Sequence, residues 1–341
     1  MKTITRAFAL VAALVLALGL AACGDDEDSA SSTGAATSES AATASFPVSV
    51  KHKFGTTEVP SEPKRVVVVG YTELDAVLAL GVTPVGTRDF LGGYDWRKRP
   101  WAKDFPTDIP SIGGQEINYE SVAARRPDLI IALNTGMQKA DYERLSKIAP
   151  TIAQSGDFID FGMPWDAQLK LIAKALGRDQ RADEVITEVK AKFAAAREEH
   201  PEFEGKDAIL AYGGPDGYGA YASADTRSRF FADLGLKTPA KVDELAGKSF
   251  YTEFSQEQFR LMDQDLVVMF GPEKDIEANK VMRRLQALKD DRIVYLDLGD
   301  QFSGALGYSS PLSLPWLLDN ELDTLQAAID GDPATKVVQP Q

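Results

Sequence analysis

The residues best equipped for chemistry are gathered in one short stretch, Arg88–Trp101, which reads RDFLGGYDWRKRPW. Phe90, Tyr94, Trp96 and Trp101 stand there among Arg88, Arg97, Lys98 and Arg99, in a chain whose formal net charge is −14. Two readings are open. The aromatic rings can pack beneath the loop while its cations meet nearby carboxylates. Alternatively, the loop can form one wall of a cleft for a bulky, partly anionic ligand. Aromatic rings would then supply contact area, and arginine would supply charge-assisted hydrogen bonds to anionic oxygens.

Other chemistry is sparse. The chain has two histidines, His52 and His200, and one cysteine, Cys23. A directly bound zinc or manganese ion normally recruits several histidines, and Ser-His-Asp or Cys-His catalysis lacks a base. A single cysteine excludes a disulfide framework and a thiolate metal cluster. Paired acids are plentiful, but in so acidic a chain they read as solvated surface. The Gly-rich turns lack the spacing of a phosphate-binding loop. No catalytic residue, metal site or cofactor is therefore expected.

These candidates need a scaffold, and the patterning supplies one. Val66–Val69 is a short β-branched run, as a buried parallel strand should be. Thr72 with Asp75 makes a capping-box-like start for a helix over Glu73–Leu80. Further strands are expected at Val82–Thr87, Ile109–Ile112, Asp128–Leu133 and near Thr151, with helices at Tyr119–Ala124 and Lys139–Ile148. A second series has strands at Ala208–Tyr212, Leu266–Phe270 and Arg292–Leu296, with a turn at 213–217 and Ala220–Ala222 pairing back. Its helices run from Asp225 to Leu234 and over Asn279–Leu288. A Gly/Ser loop, 299–310, leads to a last helix at about Leu314–Ile329. Alternating strands and helices in each half predict parallel sheets covered by helices.

The two halves repeat each other. Thr72 opens a run ending Leu80-Gly81-Val82, and Thr226 opens one ending Leu234-Gly235-Leu236. Glu120 precedes Asp128 by eight residues, as Glu257 precedes Asp265. Between the halves, Met163–His200 reads as two consecutive helices broken near Gly177. The second carries Ala182, Val185, Ile186, Val189, Phe193 and Ala196 on one apolar face. The expected organisation is an N-terminal lobe over 46–162, a helical spine over 163–200, a C-terminal lobe over 201–330 and a tail over 331–341.

If the sheets are parallel, ligand contacts come from loops beyond the carboxyl ends of the strands. Tyr71 and Asn134 fall there in the first lobe. In the second, Tyr212 and Tyr218 flank the turn, and Phe250-Tyr251 follow. Arg227 stands in a first helical turn, an unfavourable place for a cation. Either a bound anion or the neighbouring Asp225 accounts for it. The expected ligand contacts are Tyr71, Arg88, Tyr94, Trp96 and Asn134, facing Tyr218, Arg227 and Tyr251.

Lys2 and Arg6 precede an apolar run from Ala7 to Leu20, too short to span a membrane comfortably and typical of a signal-peptide core. It ends Leu20-Ala21-Ala22-Cys23, which resembles the bacterial lipobox. In such lipoproteins residues 1–22 are removed and the Cys is diacylated, a lasting membrane anchor. Residues 24–45 are Ser, Thr, Ala, Gly and acid, a disordered tether with a root-mean-square reach of roughly 25 Å. Removing residues 1–22 takes away Lys2 and Arg6 and no acid. The 37 basic residues become 35 against 51 acidic, a net charge of −16. So acidic a domain is a poor nucleic-acid binder.

PKRVVVVGYTELDAVLALGVTPVG, INYESVAARRPDLIIA, the helical spine and YTEFSQEQFRLMDQDLVVMF occur in that order. The ordered set, over nearly all of residues 46–330, resembles the substrate-binding proteins of ferric-siderophore, haem and vitamin B12 importers. SADTRSRFFADLGLKTP and SPLSLPWLLD are similar to iron-siderophore lipoproteins of Gram-positive bacteria. The resemblance implies two Rossmann-like α/β lobes joined by one long rigid helix, with the ligand cleft between them. It implies a monomer that captures a ferric siderophore outside the membrane and delivers it to an ABC permease dimer with its ATPase. Haem or a corrinoid in the same fold is the alternative; a surface lipoprotein enzyme is a more remote one. In such proteins one Glu on each lobe engages Arg pockets of the permease, and Glu120 and Glu257 fall at the matching positions.

Overall fold

A computed structural model describes residues 45–90, 94–332 and 334–340. Cys23, the 1–22 leader and nearly all of the 23–45 tether lie outside the described residues. The described chain opens with an antiparallel hairpin, β1 (Val48–His52) and β2 (Gly55–Val59), which the sequence patterning does not announce. The first lobe follows as β3 (Val66–Val68), α1 (Glu73–Ala79), β4 (Gly86–Thr87), α2 (Tyr119–Ala124), β5 (Leu129–Ala132), α3 (Lys139–Ser146) and β6 (Thr151–Ala153). Its sheet is parallel throughout, in the order β4-β3-β5-β6.

The spine is α4 (Trp165–Leu176) and α5 (Asp179–Glu199). The second lobe contains β7 (Ala208–Gly214), β8 (Gly217–Tyr221), α6 (Ser228–Asp233), α7 (Ala240–Ala246), β9 (Tyr251–Glu253), β10 (Leu266–Phe270), α8 (Glu273–Ala278), α9 (Gln286–Lys289) and β11 (Ile293–Leu296). Its sheet is mixed, in the order β11-β10-β7-β8-β9. The first three strands are parallel, and β8 and β9 are antiparallel additions. Three helices end the fold: α10 (Gln301–Tyr308), α11 (Ser313–Asn320) and α12 (Leu322–Ile329).

Period-two alternation splits each sheet between two cores. In the first lobe Val67, Ile130 and Ala132 face an outer core. In the second, Ile209, Val267 and Met269 do the same. The opposite faces, with Val66, Val68, Leu129 and Ile131 in one lobe and Leu210, Leu266 and Val268 in the other, belong to one continuous core that also holds the buried stripe of α5. The two lobes thus share a core through the spine.

The spine is two consecutive helices broken at Gly177, as the sequence patterning predicts. Gly177 takes a left-handed conformation, φ 67°, where its amide returns to the Ala173 and Lys174 carbonyls. That is a position glycine occupies without the Cβ clash. The stripe expected on the second helix is the buried face of α5, all six residues.

Several elements differ from the sequence expectation, each for a local reason. Pro84 has no N–H to give a ladder, so the strand expected at Val82–Thr87 shrinks to β4. Ser111 makes only an isolated bridge to Thr87 where a strand was expected at Ile109–Ile112. Thr72 makes no side-chain cap; Asp75 is fully buried and turned to other partners. The helix expected at Asn279–Leu288 breaks because the Asn279 carboxamide oxygen accepts from the Val281 and Met282 amides, and Asp263 takes the Ala287 amide. Residues 301–308 are helical, not loop. Gly304 and Gly307 there are contact points: a Cβ at Gly304 would lie 2.7 Å from the Tyr94 ring, and one at Gly307 2.6 Å from Phe90. The last helix is split at Glu321.

α10 and α11 bind the second half of the chain back to the first. Phe90 stacks on Tyr308 at 4.8 Å, Tyr94 on Trp101 at 5.5 Å, and Trp101 meets Tyr308 and Trp316 at 5.8 Å each. With a shared core and this aromatic belt, large hinge bending would expose much apolar surface. Free and loaded forms are therefore expected to differ little in overall shape, and solution scattering that contracts strongly on ligand addition would contradict this. Val189→Pro, which places a proline in α5, is expected to cost about 3 kcal/mol or more, measurable by denaturant unfolding.

Candidate functional site

Two adjoining cavities, of about 530 and 240 Å³, lie where the lobes meet and share Phe90, Tyr221, Arg227 and Gly307 in their walls. The first lobe contributes Tyr71, Thr72 and Asn134, from the loops after β3 and β5, and Phe90 from the aromatic stretch. The second contributes Tyr212, Tyr221, Phe250 and Phe270, with Phe161 at the entry to the spine. Seven aromatic side chains thus stand in this wall, which suits a bulky ligand with apolar surface.

Arg227 is the cation of the cavity wall. Its guanidinium lies 3.8 Å over the Tyr221 ring. Its Nε and Nη2 each donate to the Asp225 carboxylate at 2.8 Å, and Asp225 is completely buried. Burial by itself lowers an arginine pKa, but the charge and hydrogen bonds of Asp225, helped by Tyr221, reverse that and hold Arg227 above its usual value. The cation is thus fixed in charge and direction. Burial raises the Tyr212 phenol to about 12, with the Glu253 carboxylate adding to it, so it stays a neutral donor.

The first-lobe floor is organised by Glu73, which is 1 % exposed. It accepts from the Asn134 amide at 2.5 Å and the Thr72 amide at 3.0 Å, and so ties the two loops together. Burial pushes its carboxyl up, partly opposed by those hydrogen bonds. Asn134 also donates to the Thr72 hydroxyl at 3.0 Å. Arg88 is buried beside Tyr71 and lines a third cavity, of about 360 Å³, that shares Tyr71 with the smaller of the two at the lobe junction. It lies 4.1 Å over the Tyr71 ring, donates to the Tyr71 hydroxyl at 2.6 Å and to the Gly114 carbonyl at 2.6 Å, and also reaches the Gln115 carbonyl.

Of the expected contacts, Tyr71, Asn134 and Arg227 line the cavities. Tyr94 and Trp96 do not; they are 7 % and 1 % exposed and sit in the shared core. Tyr218 lies on the other face of β8, packed on Phe259 at 4.5 Å in the outer core. Tyr251 is exposed on the edge strand β9, 4.9 Å from Phe250 and outside the cavity wall. Sequence reasoning passes over Tyr221, Phe161 and Phe270. Tyr221 was within reach: in the β7–β8 register Tyr212 faces Gly219, and residue 221 shares the face of residue 219. Phe161 has φ 62°, unusual for an aromatic residue, and no sequence pattern signals it.

The loop's other cations have partners elsewhere. Arg99 donates to buried Asp75 at 2.8 Å. Arg97 lies near Asp89 and Asp95, and Lys98 near Asp95. His52 is buried against Thr57, and His200 pairs with Glu202 beyond α5; neither lines the cavities. Among the described residues no three His, Cys, Asp or Glu side chains converge to hold a metal ion.

Two α/β lobes sharing a spine, with an aromatic-bearing cavity at their junction, have the architecture of a solute-binding protein. The chain belongs to the periplasmic binding protein family, matched over residues 66–298. It is 30 % identical to the putative ABC transporter substrate-binding lipoprotein YhfQ of Bacillus subtilis (strain 168), over 73 % of this chain and 81 % of that one. It is also 30 % identical to the Fe(3+)-citrate-binding protein YfmC of the same organism, over 71 % and 76 %. The fold matches PiaA of Streptococcus pneumoniae TIGR4 in complex with ferrichrome, with a TM-score of 0.72 and 25 % identity over 84 % of this chain and 99 % of that one. The protein is thus the substrate-binding component of an ABC transporter and not an enzyme.

Proposed function

We propose that this protein captures a ferric siderophore in the cavity between its lobes and passes it to an ABC permease dimer driven by its ATPase. In this reading Cys23 carries the lipid that holds it on the extracytoplasmic face of the membrane, and the monomer works at the end of its tether. The observation that carries the reading is the aromatic cavity with Arg227 set over Tyr221. Rings of this kind cover the organic shell of a chelate, and a fixed guanidinium donates to the oxygens around the metal. The ferric ion is cargo, held by its chelator. YfmC and PiaA, whose names or complexes concern ferric citrate and ferrichrome, support iron chelates as the substrate class.

Tyr71, Asn134 and Arg227 are the contacts proposed within the original set, joined by Phe90, Tyr212 and Tyr221. Arg88 acts behind Tyr71, fixing the direction of its hydroxyl. Tyr94, Trp96 and Tyr218 support the wall from within the two cores, and Tyr251 stands beside it. Titrating the intrinsic fluorescence of the four tryptophans with a panel of ferric chelates and haem tests the proposal. Arg227→Ala is expected to lose about tenfold or more in affinity for the chelate that binds, the loss of one charge-assisted bond at roughly 1.5–3 kcal/mol. A Soret band on adding haem, lost on replacing Tyr71 or Tyr221, would transfer the assignment to haem.

A further inference from the structure

The charges in the cavity wall say what kind of chelate it takes. Asp216, Asp225 and Arg227 are the charged side chains among the described residues that line the two cavities. Arg227 is committed to Asp225 through two hydrogen bonds of 2.8 Å. Asp216, exposed at the tip of the β7–β8 hairpin, adds a further negative charge. One layer below, Arg88 spends its donors on Tyr71 and backbone carbonyls.

A wall of this balance has no uncompensated cation with which to desolvate a multiply charged anion, and burying such an anion without one is costly. The positive stretch 97–99, which would have supplied it, is turned onto Asp75, Asp89 and Asp95. Resting on the siderophore reading above, we infer that the cleft selects a chelate with no net negative charge, of the ferric tris-hydroxamate class. There the three singly charged hydroxamates cancel the charge of Fe³⁺. A ferric tris-catecholate carries −3. Arg227 then serves as a directed donor to hydroxamate oxygens, and the aromatic rings meet the uncharged backbone of the chelator.

The test compares ferrichrome, ferric citrate and a ferric tris-catecholate by fluorescence titration at low and high ionic strength. Ferrichrome is expected to bind at least about 100-fold more tightly than the tris-catecholate. Its affinity should change less than about twofold between roughly 50 and 500 mM salt, because a neutral ligand gives little for salt to screen. Equal or tighter binding of the tris-catecholate or of ferric citrate overturns the charge inference while leaving siderophore capture intact. If none of the three binds, and no neutral hydroxamate chelate does, the siderophore reading falls with it. Asp225→Asn, which frees the Arg227 charge, should reduce the preference for ferrichrome over the tris-catecholate by about tenfold. Asp216→Lys, at an exposed hairpin tip, should move the same ratio in the same direction. An unchanged ratio in both variants refutes the electrostatic basis of the selection.

Discussion

Cells whose sole copy of this protein carries Glu120→Ala together with Glu257→Ala are expected to take up no ferric siderophore, while the purified variant binds its ligand and melts as the unaltered protein does. The expectation rests on a repeat that is structural as well as sequential. Glu120 is exposed in the first turn of α2, which Asn118 caps by accepting from the Ser121 amide at 3.0 Å. Glu257 is exposed in the first turn of a 3₁₀ helix, Gln256–Met262, opened by a capping box of Ser255 and Gln258. Eight residues on, Asp128 accepts from the Lys64 and Arg65 amides just before β3, and Asp265 accepts from the Asp207 amide just before β7. Each glutamate thus holds the same place in its lobe. An acid in a first helical turn contributes only about 0.3–1 kcal/mol locally, so removing both leaves stability nearly untouched. In the proposed docking role the pair, held at fixed spacing by the shared core, engages two permease subunits at once, and each contact raises the effective concentration of the other. Undiminished uptake by the double variant, in cells with no second binding protein, would refute the docking role.

Asp75→Ala is expected to be the most destabilising single substitution in the first lobe. The Asp75 carboxylate is completely buried and accepts from Arg99 Nε, Trp101 Nε1 and Ser310 Oγ at 2.8, 2.8 and 2.7 Å. Its removal strands a buried guanidinium and two further donors. Breaking a buried pair on one side costs about 3–5 kcal/mol. At roughly 2–4 °C per kcal/mol for a chain of this order of size, the melting temperature should fall by roughly 6–20 °C. Trp101→Phe, which removes one donor and keeps most of the ring, should cost less. A loss below about 1 kcal/mol for Asp75→Ala in denaturant unfolding would mean that the network relaxes around the gap.

What the sequence made legible follows from which signals are local. The stripe from Ala182 to Ala196 is a helical period with no competing explanation, and it is the buried face of α5. The β-branched runs at Val66 and Leu266 read as buried parallel strands for the same reason. The site was less legible, because its side chains are chosen by parity and by distant partners. Tyr218 and Tyr221 are chemically alike and three residues apart; only the hairpin register decides that one enters the outer core and the other the cavity. The cations of Arg88–Trp101 are assigned by carboxylates such as Asp75, and the loop's aromatics by glycines on α10 more than 200 residues downstream. Gly304 and Gly307 read as loop markers in isolation, when they mark where other side chains press against a helix.

The Asp75–Ser310 contact joins residues separated by 235 positions. It has a consequence for the order in which the molecule is made. A ribosome delivers Asp75, Arg99 and the aromatic stretch long before it delivers α10 and α11, and until those helices arrive, Phe90 and Trp101 lack the Tyr308 and Trp316 surfaces they stack on. Contacts of such long range form late in folding. The first lobe therefore cannot complete its core while the chain is still being synthesised, and the final fold waits for nearly the last segment. If the chain is exported unfolded by way of the signal peptide read at residues 1–22, this late closure keeps it open during passage and lets it set only once it has emerged on the far side.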